Sequence, residues 1–308
     1  MTLQQLRYAI LVAEKGSMSE AAASLFIAQP SLSVAIRDLE REIGITIFNR
    51  SNRGMIPSNE GQEFLGYARQ VLEQSDLLEQ KYLGKKPRRQ KFSVSTQHYS
   101  FAVNAFVNLI KQHSMEEYDF TLRESRTYEV IDDVRNLKSE IGILYLNEFN
   151  QKVLGKLIKE NDLRFEELFK ARPHVFISKD NPLAKQELVQ LEDLEDYPCL
   201  RYEQGDWNSF YFSEEILSTM EHRKNIQVSD RATLFNLMIG LNGYTMCTGI
   251  ISTELNGPDI ISVPLAVNDV MRVGILTHTQ VELSRLGKQY YEVLREYTAP
   301  MRADGAAC

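Results

Sequence analysis

Residues 16–61 read GSMSEAAASLFIAQPSLSVAIRDLEREIGITIFNRSNRGMIPSNEG, and their punctuation decides the fold of the N-terminal region. Ahead of them Leu3, Leu6, Ile10, Leu11 and Ala13 recur at helical spacing, so a first helix runs from Leu3 to Lys15 and stops at Gly16. Ser17 and Ser19 offer capping oxygens to a second helix, whose Ala21, Ala22 and Ala23 favour helix and leave room for a close neighbour. After a turn at Phe26 to Gln29, Pro30 fits the first turn of a third helix that runs to about Glu42. Leu32, Ala35, Ile36, Leu39 and Ile43 form its apolar stripe, while Gln29, Ser31, Ser33, Val34, Arg37 and Asp38 face elsewhere. The helix alone fits two readings equally. It is either a recognition helix, with small hydroxyl residues beside phosphate and Gln or Arg at base edges, or an ordinary polar surface helix.

The next residues shift the balance. Gly44 to Arg50 reads as a helix stop and a short strand, Ser51 to Gly54 as a polar turn, and Met55 to Pro57 as a returning strand. This is a winged helix, with Arg50 and Arg53 beside the turn where they can lie across a backbone or minor groove. The net charge of -7 argues against coating nucleic acid by bulk charge, so a DNA surface must come from placement.

Gly-Ser-Met-Ser-Glu-Ala-Ala-Ala-Ser-Leu at 16–25, Ala-Gln-Pro-Ser-Leu-Ser at 28–33, Leu-Glu-Arg-Glu-Ile-Gly at 39–44, Ile-Phe-Asn-Arg at 47–50 and Pro-Ser-Asn-Glu-Gly at 57–61 resemble the N-terminal signature of the LysR-type transcriptional regulators. Val34 and Ala35 stand where many members carry a basic or amide residue, and Ser58 where Thr is common. The resemblance implies a winged helix-turn-helix at 1–60, mainly α, that binds double-stranded DNA through Gln29, Pro30, Ser31, Ser33, Val34 and Arg37, with Arg50 and Arg53 supporting from the wing. It also implies a two-lobed α/β sensor, similar to periplasmic binding proteins, for a small-molecule effector. A homodimer or homotetramer is expected, RNA polymerase is a further partner it admits, and no cofactor is called for.

From Glu60 to Tyr82 no proline occurs, and Phe64, Ala68, Val71, Ser75, Leu78 and Tyr82 alternate steps of four and three. A linker helix at 61–84 with such a seam lies against a symmetric partner or against the chain's own sensor region; the resemblance favours the dimer. The basic run Lys85, Lys86, Pro87, Arg88, Arg89, Gln90, Lys91 marks a hinge at 85–91.

Strand and helix patterns then alternate through 92–300, which predicts parallel sheets with crossover helices. Strands at 165–170, 174–178, 199–202, 226–229 and 244–247, with helices at 209–220 and 231–241, are expected in the second lobe. Lobe I is placed at about 92–163 and 266–300, lobe II at about 164–265, and a disordered tail at 301–308. Where the first strand ends, Ser95, Thr96, Gln97, His98, Tyr99 and Ser100 run into a helix whose free N–H groups suit a carboxylate or other small organic anion. The resemblance places Thr96 and Gln97 in this role. Arg201, Tyr202, Cys247 and Thr248, at strand ends of the second lobe, complete the expected effector site. Each has another reading: Ser100 as a helix cap, Arg201 as a surface ion pair, Cys247 as core.

No Gly-rich phosphate loop, nucleophile elbow or metal-spaced His pair occurs, and His98, His113, His174, His222 and His278 are scattered, so neither an enzyme nor a metal site is expected. Cys199, Cys247 and Cys308 suggest no disulfide framework. The apolar runs are too short for a membrane span and the start shows no secretory signal, which predicts a cytoplasmic protein.

Overall fold

The capping signals at the start of the chain are used where they stand. In the computed structural model Thr2 accepts the Gln5 N–H and Gln5 reaches back to Thr2, a capping box that opens α1 (Leu3–Lys15), and left-handed Gly16 closes it. The structure describes residues 1–51, 54–83, 90–112, 117–207 and 209–305. It divides into two units, Met1–Gln90 with Gln280–Glu282, and Lys91–Thr279 with Leu283–Cys308.

In the first unit, Ser17 accepts the Glu20 N–H to start α2 (Met18–Ser24), and α3 (Gln29–Ile43) ends at left-handed Gly44. Ala21 and Ala22 are buried with Ala9, Val12, Leu32, Ile36 and Leu39, so small side chains let three helices share one core. The wing is β1 (Phe48–Ser51) paired antiparallel with β2 (Gly54–Pro57). Glu40 of α3 holds it, accepting the N–H groups of Ile47 at 2.7 Å and Phe48 at 3.1 Å. Gly61, in the first turn of α4 (Asn59–Leu83), has a packing reason: a Cβ there would lie 2.1 Å from the Ile47 carbonyl oxygen.

The expected seam of α4 is divided. Phe64 and Ala68 pack with Leu72 on Leu6 and Ile10 of α1, whereas Val71 (45%), Leu78 (60%) and Tyr82 (69%) are exposed. A straight helix drifts against a seven-residue repeat, so one stripe serves first the unit's own core and then the surface. Of the hinge expected at 85–91, residues 85–89 lie outside the described residues, and Gln90 and Lys91 open β3 (Gln90–Thr96).

The second unit continues with α5 (Ser100–Gln112), β4 (Tyr118–Glu124), α6 (Thr127–Arg135), β5 (Ile141–Leu146), α7 (Gln151–Glu160) and β6 (Leu163–Ala171). The chain then crosses to a second lobe with β7 (His174–Ser178), β8 (Cys199–Tyr202), β9 (Asn225–Val228), α8 (Arg231–Leu241), β10 (Tyr244–Cys247), α9 (Thr253–Asn256) and β11 (Ile260–Pro264). It returns through β12 (Met271–His278) and α10 (Arg285–Gly305). The two five-stranded sheets have the orders β4-β3-β5-β12-β6 and β11-β7-β10-β8-β9.

Four expectations need correction. The strand at 165–170 belongs to the first sheet, since β6 pairs with β12 along Ala171 to Leu163, so lobe II begins after Ala171 and not at 164. The sheets are mixed: β3 runs parallel to β5 and β8 to β9, but the returning β12 lies antiparallel to β5, and β7 antiparallel to β10 and β11. No helix spans 209–220. Phe212, Ser213, Glu214, Glu215 and Ile216 are buried in succession, which one face of a helix cannot do, and the chain takes a short turn at Phe210–Phe212 and then an irregular path. The tail at 301–305 continues α10 past Pro300, a residue that can kink a helix without ending it; residues 306–308 lie outside the described residues.

Phe101, Ala102, Ala105, Phe106 and Leu109 bury one face of α5. Phe106 lies among Phe92, Phe120 and Tyr290, with ring centroids 5.9–6.1 Å apart. At roughly 1.5–3 kcal/mol for each such buried side chain, this face outweighs any local helix preference. The same apolar cluster runs on through Ile216, Val175, Ile177, Tyr244 and Met246, so the two lobes share one core.

Candidate DNA-binding surface and interlobe site

On α3 the stripe Leu32, Ile36 and Leu39 is buried, and Pro30, Ser31, Val34 and Arg37 are exposed together on the opposite side. Gln29 and Ser33 are half-buried and bonded to each other, Gln29 Nε2 donating to Ser33 Oγ at 2.9 Å. Asp38 is engaged by Arg41 at 3.1 Å. Arg50 is exposed on β1; Arg53 lies outside the described residues. A helix face of small polar groups with one guanidinium, beside an exposed strand cation, has the chemistry to bond phosphates and base edges.

Where the lobes of the second unit meet, the segment after β8 crosses to lobe I. Gln204 Oε1 accepts the Thr127 N–H at 3.1 Å, Trp207 stacks on Tyr128 with centroids 3.8 Å apart, and Arg126 bonds Glu203. Phe212 is buried among Val130, Val134 and Leu154. The Tyr145 hydroxyl donates to the carbonyl oxygens of Ser213 at 3.2 Å and Glu215 at 3.3 Å.

Between these anchors the Glu214 carboxylate turns inward. It accepts the His98 N–H at 3.0 Å, lies 3.0 Å from His98 Nδ1 through either oxygen, and accepts Gln204 Nε2 at 3.4 Å. The Tyr202 ring covers the imidazole, 3.8 Å away and within 4° of parallel. Glu215 points the other way, accepting the Tyr202 N–H at 2.8 Å and the Ser213 hydroxyl at 2.9 Å, with Arg201 Nε 3.7 Å distant. Arg201 also donates to Ser213 Oγ at 3.0 Å and the Ser218 carbonyl at 3.1 Å. Glu124 of β4 pairs with Arg231 of α8 at 3.0 Å.

Burial and the neighbouring Glu214 push the Glu215 carboxyl up to about 7, against the pull of the Tyr202 N–H and Arg201. Burial also raises Glu124, which Arg231 and His98 oppose. Burial by itself would lower His98, but the charge and hydrogen bond of Glu214, with Glu124 and Glu215 behind it, raise it overall. Burial pushes Tyr99, Tyr145 and Cys247 upward, so these groups are neutral donors at neutral pH.

The expected effector residues fall into three groups. Thr96, His98, Tyr99 and Ser100 of lobe I and Arg201, Tyr202, Cys247 and Thr248 of lobe II lie at or just after strand ends, joined across the lobes by the His98–Tyr202 stack and by the Ser100 hydroxyl, which donates to the Ile250 carbonyl at 3.3 Å; Thr248 Oγ1 accepts the Ile250 N–H at 3.4 Å. Cys247 Sγ lies 3.6 Å from the His174 carbonyl oxygen. The Thr96 hydroxyl is fully buried and has no hydrogen-bond partner. Gln97 is spent internally on Thr127 Oγ1 at 2.6 Å, the Tyr99 hydroxyl at 3.0 Å and the Tyr145 N–H at 3.1 Å. Ser95 is not brought in. It faces α6, bonding Asp133 at 2.6 Å and Ser139 at 2.9 Å, as alternation along a strand requires when its neighbour Thr96 takes the other side.

Sequence reasoning missed Glu124, Gln204, Glu214, Glu215 and Arg231. Its signal for the central pair was present: two consecutive glutamates set between Phe210–Phe212 and Ile216–Leu217, apolar flanks that pull them inside. Among the described residues no group of three or more His, Cys, Asp or Glu is placed to hold a metal ion, and no helix is long and apolar enough to cross a membrane.

The chain matches the description "Bacterial regulatory helix-turn-helix protein, lysR family" over residues 3–62 and "LysR substrate binding domain" over residues 95–299. It is 26% identical over 310 residues to the transcriptional dual regulator GltC of Bacillus subtilis (strain 168), covering 96% of this chain and 97% of that one. It is 43% identical over 75 residues to a probable RuBisCO transcriptional regulator of Guillardia theta, a match that spans 24% of each protein. Among solved structures it is similar in fold to a full-length OxyR variant from Pseudomonas aeruginosa, with TM-score 0.58, 20% identity and coverage of 96% and 94%. With its exposed recognition helix, its wing and its two-lobed α/β domain, the chain belongs to the lysR family of bacterial DNA-binding transcriptional regulators with a substrate-binding domain.

Proposed function

We propose that the protein is a cytoplasmic, sequence-specific transcriptional regulator that binds double-stranded DNA as a homodimer, or as a homotetramer of two such dimers. A small organic effector held between the lobes sets its DNA affinity. The single observation that carries the DNA reading is the exposed face of α3, with Ser31, Val34 and Arg37 outward and Leu32, Ile36 and Leu39 in the core. Gln29 and Ser33 extend that face as a bonded pair, and Arg50, exposed on β1, supports it from the wing. The dimer is built on the exposed part of the α4 seam, Val71, Leu78 and Tyr82, which would pair two recognition helices across a two-fold related site. The working division is a DNA-binding region at 1–60, a linker at 61–84 and an effector region from 92 on, with RNA polymerase as the partner through which DNA binding acts on transcription.

The effector reading rests on the orphaned, fully buried Thr96 hydroxyl and on the polar groups of the neighbouring strand ends, with Ser100 and Thr248 buried and His98, Tyr99, Arg201, Tyr202 and Cys247 half-buried. A ligand shifts such a protein only through different affinities for its two arrangements. The test is selection of genomic fragments by the full-length protein. Enrichment of one motif with two half-sites related by a two-fold supports the reading, and retention of unrelated fragments in proportion to their length contradicts it.

A further inference from the structure

The donors at the start of α5 that suit an acidic effector are already engaged by the chain itself. Both oxygens of Glu214 are used: one takes the His98 N–H, both lie 3.0 Å from His98 Nδ1, and one takes Gln204 Nε2 at 3.4 Å. Backbone N–H, imidazole and amide converging on two oxygens form the donor set of a bound carboxylate. Glu214 comes from the segment that leaves a lobe II strand and lies against lobe I, where it meets His98. It is also the part of that segment free to change without unfolding it. Phe212 is buried in the lobe I core, and Tyr145 pins the carbonyls of Ser213 and Glu215 on either side, so rotation of one side chain frees the donors while the backbone stays in place.

We propose that Glu214 is a tethered occupant of the interlobe site, and that the effector is a small organic carboxylate that acts by displacing it from His98. The exchange replaces the chain's own carboxylate with the ligand's at the His98 donors, while the Tyr145 hydroxyl keeps the Ser213 and Glu215 carbonyls in place. The proposal rests on the interlobe reading above and adds the ligand class and the competitor.

The test uses the full-length protein carrying Glu214→Ala, with sodium acetate as the probe and sodium chloride at matched ionic strength as the control. Acetate returns the excised group. It is expected to raise the Tm of the variant saturably and to bind it at least roughly tenfold more tightly than it binds the parent protein, the factor that recovered charge-assisted hydrogen bonds carry. Acetate that stabilises a folded Glu214→Ala no better than chloride overturns the proposal. If that variant does not fold, Glu214→Gln keeps the volume and loses the charge. Its His98 imidazole, followed by NMR, should titrate at lower pH than in the parent, and acetate should bind it more tightly; equal acetate affinity for Glu214→Gln and parent overturns the proposal. A crystal structure with a carboxylate effector separates this inference from the reading beneath it. Ligand between the lobes with Glu214 still on His98 overturns the inference alone, whereas ligand elsewhere overturns the interlobe reading and leaves the acetate result standing.

Discussion

The Glu214 carboxylate and His98 face each other at 3.0 Å across the meeting of the two lobes, with both side chains almost wholly buried. Around them stand Glu215 on the same segment, Glu124 on β4, Tyr202 on β8, and Asp230 and Arg231 at the start of α8. This cluster gives the effector region a pH dependence whose sign follows from the direction of each shift.

Glu215 is held up at about 7 in the folded protein against an ordinary 4.5, so folding binds its proton more tightly. The stability linked to that proton is present below the ordinary value and is lost as pH rises through about 7, on the order of 3 kcal/mol across the window. His98, also raised, contributes in the same direction: its stabilisation is full below the ordinary 6.5 and is lost as pH rises through the folded value. Thermal unfolding of the full-length protein at about pH 5.5 and about pH 8 is expected to show Glu215→Gln gaining on the parent at the higher pH. A difference between the two proteins that does not change with pH contradicts this.

Thr96 presents a buried hydroxyl without a partner, which costs roughly 1–3 kcal/mol if nothing satisfies it. Thr96→Val, nearly equal in shape, should therefore raise the stability of the ligand-free protein by up to about that amount. In a protein saturated with an effector that bonds this hydroxyl, the same substitution should weaken binding by a comparable amount. Calorimetry on both states checks the pair of signs; a ligand-free protein destabilised by Thr96→Val shows that the hydroxyl already has a partner.

The division of the α4 seam predicts two different outcomes from one kind of substitution. Leu78 is exposed and Ala68 is buried against α1. Leu78→Asp should leave the protein folded and dissociate the dimer, because a charge buried in that interface costs several kcal/mol. Ala68→Asp should instead unfold the N-terminal unit. Sedimentation with circular dichroism separates the two, and a Leu78→Asp protein that remains dimeric at micromolar concentration removes the seam from the interface.

How far the sequence could be read depended on how local each signal was. Helices α1 to α3 carry their own stops and caps, so Gly16, Ser17 and Gly44 mark their limits without knowledge of the partner surfaces. In the second unit α5 and α8 were legible from start to end, but β6 was assigned to the wrong lobe, because membership of a sheet is decided by pairing with β12, more than a hundred residues away. The segment at 209–220 misled most. Its residues look amphipathic in sequence, yet five in succession are buried between the lobes, a setting that only the assembled fold creates. For that reason the polar run from Ser95 to Ser100 stood out in the sequence while its partner Glu214 did not.

Arg37 is an exposed cation on the outward face of α3, the face proposed to read DNA. The most direct measurement is the affinity of Arg37→Ala for a genome-selected fragment and for a scrambled one, by fluorescence anisotropy over a range of salt. A base contact predicts a loss of roughly 1–3 kcal/mol on the selected fragment with relaxed preference, and a phosphate contact predicts a uniform loss with the salt slope reduced by about 1. Unchanged affinity, preference and salt slope would contradict the account.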